Sequence, residues 1–212
     1  MNNISIKRLL KDIKELEKNP LENNGIYYKH DEDDLFKGYA IIFGPKDTLY
    51  ENGCYIFCFY FTKNYPFEPP IVKFLTGDNN TRFHPNLYRN GKVCLSILNT
   101  WKGEQWSSCQ SIRSILLTIV SLFDNKPLLH EPGITENYKD FHKYNEIIKF
   151  KNIEIAIIKY YNEKTIKKYY KNKEIFNFFY TIIQNKLKVE KDNINEMINK
   201  NLKNESVILK TN

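Results

Sequence analysis

The chain has 212 residues, 42% of them hydrophobic and 27% charged, which suits one full-sized domain with an appendage and excludes wholesale disorder or a fibrous repeat. Its formal charge is +7, yet only four of the 32 basic residues are Arg and Asn reaches 26, so the charge reads as composition spread along the chain rather than a nucleic-acid footprint. The longest apolar stretches, Ile56 to Phe61 and Ile115 to Val120, fall far short of the ~20 residues that span a bilayer, and charged residues from Lys11 to Glu15 interrupt any signal-like run, so neither membrane insertion nor secretion is expected.

In chain order, Ile6, Leu9, Leu10, Ile13 and Leu16 recur at helical spacing, with basic residues mostly on the other faces, and Asn19-Pro20 stops the helix. Strand-like runs follow at Ile26 to His30, Lys37 to Phe43, Cys54 to Phe61 and Ile71 to Phe74, separated by turn signals at Gly44 to Asp47 and Tyr65 to Pro70. Four such runs in succession predict an antiparallel meander. From Thr76 to Ser111 there is no sustained period, and a connection of that length in a compact domain is usually functional. Ile112, Ile115, Leu116, Ile119, Val120 and Phe123 then predict a central amphipathic helix, capped by Ser111 and stopped before Pro127. Helical patterns follow near Tyr138 to Tyr161 and Lys173 to Lys188, with a weaker polar tail.

The four cysteines, Cys54, Cys58, Cys94 and Cys109, form no C-x-x-C pair and keep no zinc-finger spacing with His, so they read as reduced thiols rather than a metal site. Cys94 lies in the long loop, eight positions after Asn86 in the run His84-Pro85-Asn86. A thiolate there can attack an acyl group, and an Asn amide can donate to the oxyanion that forms. His84 or His130 could approach Cys94 as in a cysteine hydrolase, an alternative these residues leave open.

His-Pro-Asn, seven residues, Cys94, then Ile97-Leu98 and a Trp resemble the active-site signature of ubiquitin-conjugating enzymes. The likeness extends to the basic first helix, the Gly-Pro-x-Asp-Thr-x-Tyr-x-x-Gly turn at Gly44 to Gly53, the Tyr-Pro-Phe-x-Pro-Pro loop at Tyr65 to Pro70, and Pro132. It covers about residues 4 to 135. The Asn79 to Phe83 approach, the Asn99 to Gly103 insertion and the Glu131-Pro132-Gly133 ending are similar to the Z-type branch.

The resemblance implies an α+β fold: a four-stranded antiparallel meander packed by an N-terminal and a central helix, with additional C-terminal helices. It implies a conjugating core over residues 1–160 and a helical extension over 161–212. Cys94 would take ubiquitin or a ubiquitin-like protein from an activating enzyme as a thioester and yield it to a substrate lysine or a ligase. Asn86 would stabilise the oxyanion or pin its loop, and His84 would be structural or, as the alternative, a proton shuttle. Glu131 would position or deprotonate the incoming lysine, with His130 the adjacent alternative and Ser96 standing where many relatives carry Asp. Lys7, Arg8 and Lys11 would meet the activating enzyme, unless they form an ordinary solvated face. Phe67, Trp106, Ser107 and Ser108 would meet a RING or HECT ligase. No cofactor is implied, since ATP is consumed by the activating enzyme, and no nucleic-acid or membrane partner. The expected location is the cytoplasm, with the nucleus also open to it. The competing non-enzyme expectation is an inactive binding module of the same fold.

Overall fold

The computed structural model describes residues 3–170 and 172–208. Helix α1 (Asn3–Lys18) buries Leu9 and Leu16 and half-buries Ile6 and Ile13, the stripe its spacing predicts. Leu10, counted in that stripe, lies outside it and is 41% exposed. Strands β1 (Ile26–His30), β2 (Lys37–Phe43), β3 (Cys54–Tyr60) and β4 (Ile71–Phe74) form one antiparallel sheet in the order β1-β2-β3-β4, with β3 one residue shorter than expected.

Side chains alternate across a strand, so the register sorts the sheet into two faces. Ala40 pairs with Phe57 and Ile42 with Tyr55 on the face where Tyr55 stacks on Phe123, at a ring separation of 4.5 Å. Phe123 lies just beyond α2 (Ile112–Val120), the central helix, which starts in a capping box closed by Ser111 and Ser114. Tyr39, paired with Cys58, and Phe43, paired with Cys54, belong to the other face. There Tyr39 meets Tyr170 edge-on at 5.2 Å and Phe43 meets Tyr161 at 6.4 Å. Both faces are therefore covered, and β2 and β3 are buried almost without interruption.

The second cover comes from the C-terminal half. Helix α3 (Phe141–Lys151) passes into wider π-helical turns over Asn152–Lys159. Then come α4 (Glu163–Tyr169), α5 (Lys173–Val189) and α6 (Lys191–Ile208). Asn162 and Asn172 cap α4 and α5 by accepting backbone N–H groups, which is why these short polar linkers start helices. Ile166, Tyr170, Ile175, Phe179 and Ile183 join the same apolar core as Leu9 and Ile115.

The turn between β2 and β3 shows why its motif begins and ends in glycine. A Cβ on Gly44 would lie 1.7 Å from the Tyr50 carbonyl oxygen, and one on Gly53 would lie 2.0 Å from Asn152 Oδ1. Asn152 accepts from the Tyr55 hydroxyl at 2.6 Å and donates to the Glu51 carbonyl at 2.9 Å, while Tyr50 donates to the Phe83 carbonyl at 2.8 Å. The turn thus supports the segment entering His84.

Candidate active site around Cys94

The loop expected to be irregular contains a short hairpin. Leu87 bridges Val93, the Tyr88 N–H donates to the Lys92 carbonyl at 2.9 Å, and the chain reverses at Asn90-Gly91. Gly91 sits at φ +84°, where a Cβ would come within 2.8 Å of the Phe74 carbonyl oxygen. The Phe74 N–H donates to the Gly91 carbonyl at 2.8 Å, fixing the hairpin to the edge of β4.

At the hairpin's open end Asn86 and Cys94 face each other. The Cys94 N–H donates to the Asn86 carbonyl at 2.8 Å, and the Asn86 side-chain amide donates to the Cys94 carbonyl at 2.6 Å. The amide nitrogen is thus held beside the cysteine backbone, and the buried Oδ1 of Asn86 has no partner. Cys94 is only 3% exposed, with its thiol donating to the Thr100 carbonyl at 2.7 Å. Unlike Cys54 and Cys58 it does not belong to the apolar core cluster. Burial pushes the thiols of Cys54 and Cys58 up, so they are poor nucleophiles.

His84 is fully buried, and its Nδ1 accepts the Asn86 N–H at 3.0 Å. Desolvation, reinforced by the neighbouring His130 ring, pulls its pKa down to about 3, so the ring is neutral near pH 7. The two imidazoles lie 4.7 Å apart, and His130 Nε2 is 2.8 Å from Asp124. Asp124 is held below the usual carboxylate range: burial pushes it up, but hydrogen bonds from His130 and the Lys126 backbone outweigh that. Contacts therefore run from Cys94 through Asn86 and His84 to His130. Glu131 joins from another side, 3.2 Å from Arg82, whose guanidinium also donates to the Pro85 carbonyl and lies 4.4 Å above the Tyr88 ring. Arg82 is itself fixed at its carbonyl by the Tyr144 hydroxyl at 2.9 Å. Arg82 and Tyr144 do not stand out by local spacing, because Glu131 and the Arg82 carbonyl, their respective partners, are distant in sequence, and Asp124, six residues before His130, belongs to no motif.

The family model described as ubiquitin-conjugating enzyme matches residues 8–154, the span that holds the sheet, the hairpin and Cys94. The chain belongs to the ubiquitin-conjugating enzyme family. It is 43% identical over 159 residues to Ubiquitin-conjugating enzyme E2 Z of Xenopus tropicalis, covering 74% of this chain and 50% of that protein. Similarity to the E2 Z of Homo sapiens is 45% over 153 residues, covering 71% of this chain and 43% of that protein. A Caenorhabditis elegans relative, Probable ubiquitin-conjugating enzyme protein 17, is 41% identical over 155 residues, with 69% and 21% covered. The chain thus spans about half the length of these curated relatives, or less. The relatives named E2 Z agree with the Z-type likeness of the sequence.

Within this family framework the two expected partner surfaces adjoin each other. Lys7 and Lys11 are exposed on α1, whereas Arg8 is engaged: it pairs with Asp12 at 2.9 Å and donates to the carbonyls of Ser108 and Gln110. Ser107 and Ser108 are exposed, and Phe67 is 65% exposed. Trp106 is buried instead, its Nε1 donating to the Pro66 carbonyl at 2.7 Å, so it supports the loop that presents Phe67. Among the described residues no group of three or more His, Cys, Asp or Glu side chains is placed to hold a metal, and no helix is long and apolar enough to cross a membrane.

Proposed function

We propose that this chain carries ubiquitin or a ubiquitin-like protein as a thioester on Cys94, received from an activating enzyme and passed to a lysine or to a ligase cysteine. The observation that carries this is the hairpin pairing of Cys94 with Asn86, in a chain of this family, with the amide nitrogen 2.6 Å from the Cys94 carbonyl. In the loading step the Cys94 sulfur bonds to the carbonyl carbon of the modifier's C-terminal glycine while the activating enzyme's sulfur departs. One thioester replaces another and one thiol proton replaces another. The protein then has mainly to orient the acyl group and exclude water. In the second step an amine attacks, the carbonyl oxygen gains negative charge, and Cys94 leaves as the amide forms. Asn86 is the donor for that oxyanion, exchanging its present acceptor for it.

Glu131 is the acid that positions the amine, and His130, paired with Asp124, is the adjacent alternative. The neutral, backbone-bonded His84 suits a structural role. Lys7 and Lys11, with Arg8 between them tied to Asp12, Ser108 and Gln110, form the face for the activating enzyme, and Phe67, Ser107 and Ser108 over Trp106 form the face for a RING or HECT ligase. Residues 1–160 are the conjugating core and 161–212 an extension, working without a cofactor of its own in the cytoplasm or nucleus. The 3% exposure of Cys94 favours a second reading, an inactive module whose cysteine accepts nothing.

One experiment separates them: incubation with activating enzyme, ATP and ubiquitin, resolved with and without reductant. A reductant-labile adduct in the parent, reductant-resistant in Cys94→Ser and absent in Cys94→Ala, is expected. No adduct with ubiquitin or any other modifier and its activator leaves the binding module.

A further inference from the structure

We infer that Thr100 is a positioning residue for Cys94: it latches the insertion over residues 99–103 across the thiol, and the latch opens before the sulfur can take an acyl group. The functional part of this inference rests on Cys94 being the acceptor. Five contacts from one residue reach both sides of the cysteine. The Thr100 hydroxyl accepts the Leu95 N–H at 2.9 Å and donates to the Val93 carbonyl at 3.0 Å, within 3.1 Å of the Leu95 carbonyl as well. The Thr100 N–H donates to the Leu95 carbonyl at 3.1 Å, and the Thr100 carbonyl receives the Cys94 thiol at 2.7 Å.

The insertion is shaped for this. A 3-10 turn over Ser96–Leu98 ends at Asn99, which sits at φ +55° and turns the chain back over Cys94. Asn99 Oδ1 accepts the Trp106 N–H at 2.8 Å, tying the start of the insertion to the chain just beyond its end. Gly103, at φ +129°, lets the chain pass over Ser96, where a Cβ would lie 3.1 Å from the serine Cβ. Beyond the latch the insertion is at the surface, and Trp101 is 39% exposed.

The cover over Cys94 thus meets the sulfur with a polar backbone carbonyl and is held by a few hydrogen bonds, whereas Cys54 and Cys58 lie within the apolar cluster. Such a cover lifts locally without unfolding the core. The hydroxyl is the part that matters, since it supplies both an acceptor for Leu95 and a donor for Val93. Valine keeps the shape of Thr100 and has neither group, whereas serine keeps both.

Alkylation by iodoacetamide, without activating enzyme, tests the latch on the full chain. A new carbon–sulfur bond forms as iodide leaves, and peptide mass spectrometry reads each cysteine separately, with exposed Cys109 as internal reference. In the parent, Cys94 is expected to react more slowly than Cys109, being buried where Cys109 is exposed. Thr100→Val is expected to raise the Cys94 rate about tenfold with Cys109 unchanged, and Thr100→Ser to stay within about twofold of the parent. Equal Cys94 rates in parent and Thr100→Val, or equal rises in the Val and Ser variants, overturn the inference.

Reaction of Cys54 and Cys58 would reveal global opening in Thr100→Val. The decision then passes to Asn99→Gly, which keeps the positive φ and removes only the Trp106 anchor. A faster Cys94 in that variant supports the latch, and a parental rate overturns it. Charging with ubiquitin is scored separately: a parent that alkylates as described but never charges overturns the role of Cys94 as acceptor and not the cover.

Discussion

Replacing Arg82 with Ala should cost far more than replacing Glu131 with Gln, although the two form an ion pair. The guanidinium makes three kinds of contact: hydrogen bonds to the Pro85 carbonyl, a stack 4.4 Å above Tyr88 and the 3.2 Å pair with Glu131. A charged group hydrogen-bonded to a carbonyl contributes ~1.5–3 kcal/mol. The cation–π stack adds ~0.5–1 kcal/mol at a partly exposed site. The ion pair is screened, with side chains 32% and 38% exposed, and contributes below ~1 kcal/mol. One side chain makes all of these contacts together, so the expected loss for Arg82→Ala is ~2–3 kcal/mol rather than their sum. Glu131→Gln should lose under ~1 kcal/mol. Arg82→Lys keeps the charge and loses the planar fork, so it should recover less than half of the difference. Urea unfolding of all three variants, with unchanged m-values, measures this directly. An Arg82→Ala within ~0.5 kcal/mol of the parent, or a Glu131→Gln as costly as Arg82→Ala, would refute the assignment of Arg82 as the pin of the Pro85-Asn86 segment.

Three further outcomes are expected. Asn86→Ala should still charge at Cys94 but discharge to free lysine ~10²-fold more slowly, measured as single-turnover loss of the thioester; unchanged discharge with a lowered Tm would make Asn86 a loop pin only. Stability should fall on acidification below about pH 6.5, because His84 binds its proton in the unfolded chain near pH 6.5 and in the folded protein only near a pKa of about 3. The folded pKa is depressed, so this stability is present above pH 6.5 and shrinks by ~1.4 kcal/mol per pH unit down to about pH 3. His30, also lowered by burial, acts in the same sense, and denaturant titrations across this range should show a slope smaller by about one proton in His84→Asn. Phe179→Ala, which removes a fully buried ring stacked 4.9 Å from Tyr170, should cost ~3–5 kcal/mol; a melting temperature within a degree of the parent would mean that α5 does not help close the sheet.

Much of this was legible in the sequence because local signals agree with the fold. Three of the four strands have the expected bounds, and the capping residue of α2 was visible as Ser111. The hairpin at Asn90-Gly91 was concealed by its shortness, since a few bridged residues give no period. Helix α4 escaped because its seven residues bury only Ile166. The double cover of the sheet did leave a signal, the unbroken apolar runs of β2 and β3, which lack the alternation of a sheet with one wet face. Cys94 and Asn86 could be named from a motif because they lie eight residues apart, and the hairpin joins them. Arg82 could not: its ties to Pro85 and Tyr88 are local but follow no motif, and its other partners, Glu131 and Tyr144, arrive from beyond α2.

Asn152 gives the fold an order in time. It is the only residue of the π-helical turns to hydrogen-bond both the Tyr55 hydroxyl and the Glu51 carbonyl, 97 and 101 residues earlier in the chain. During synthesis at ~5–20 residues per second, the Gly44–Gly53 turn emerges several seconds before that partner exists. Until then Tyr55 and Glu51 must satisfy their polar groups with water, and the turn supporting the entry to His84 stays unsealed. A nascent chain can therefore have Cys94 outside the ribosome before the scaffold beneath it is closed, and Tyr161 and Asn193, which bind Asn52 and Glu51 of the same turn, arrive later still.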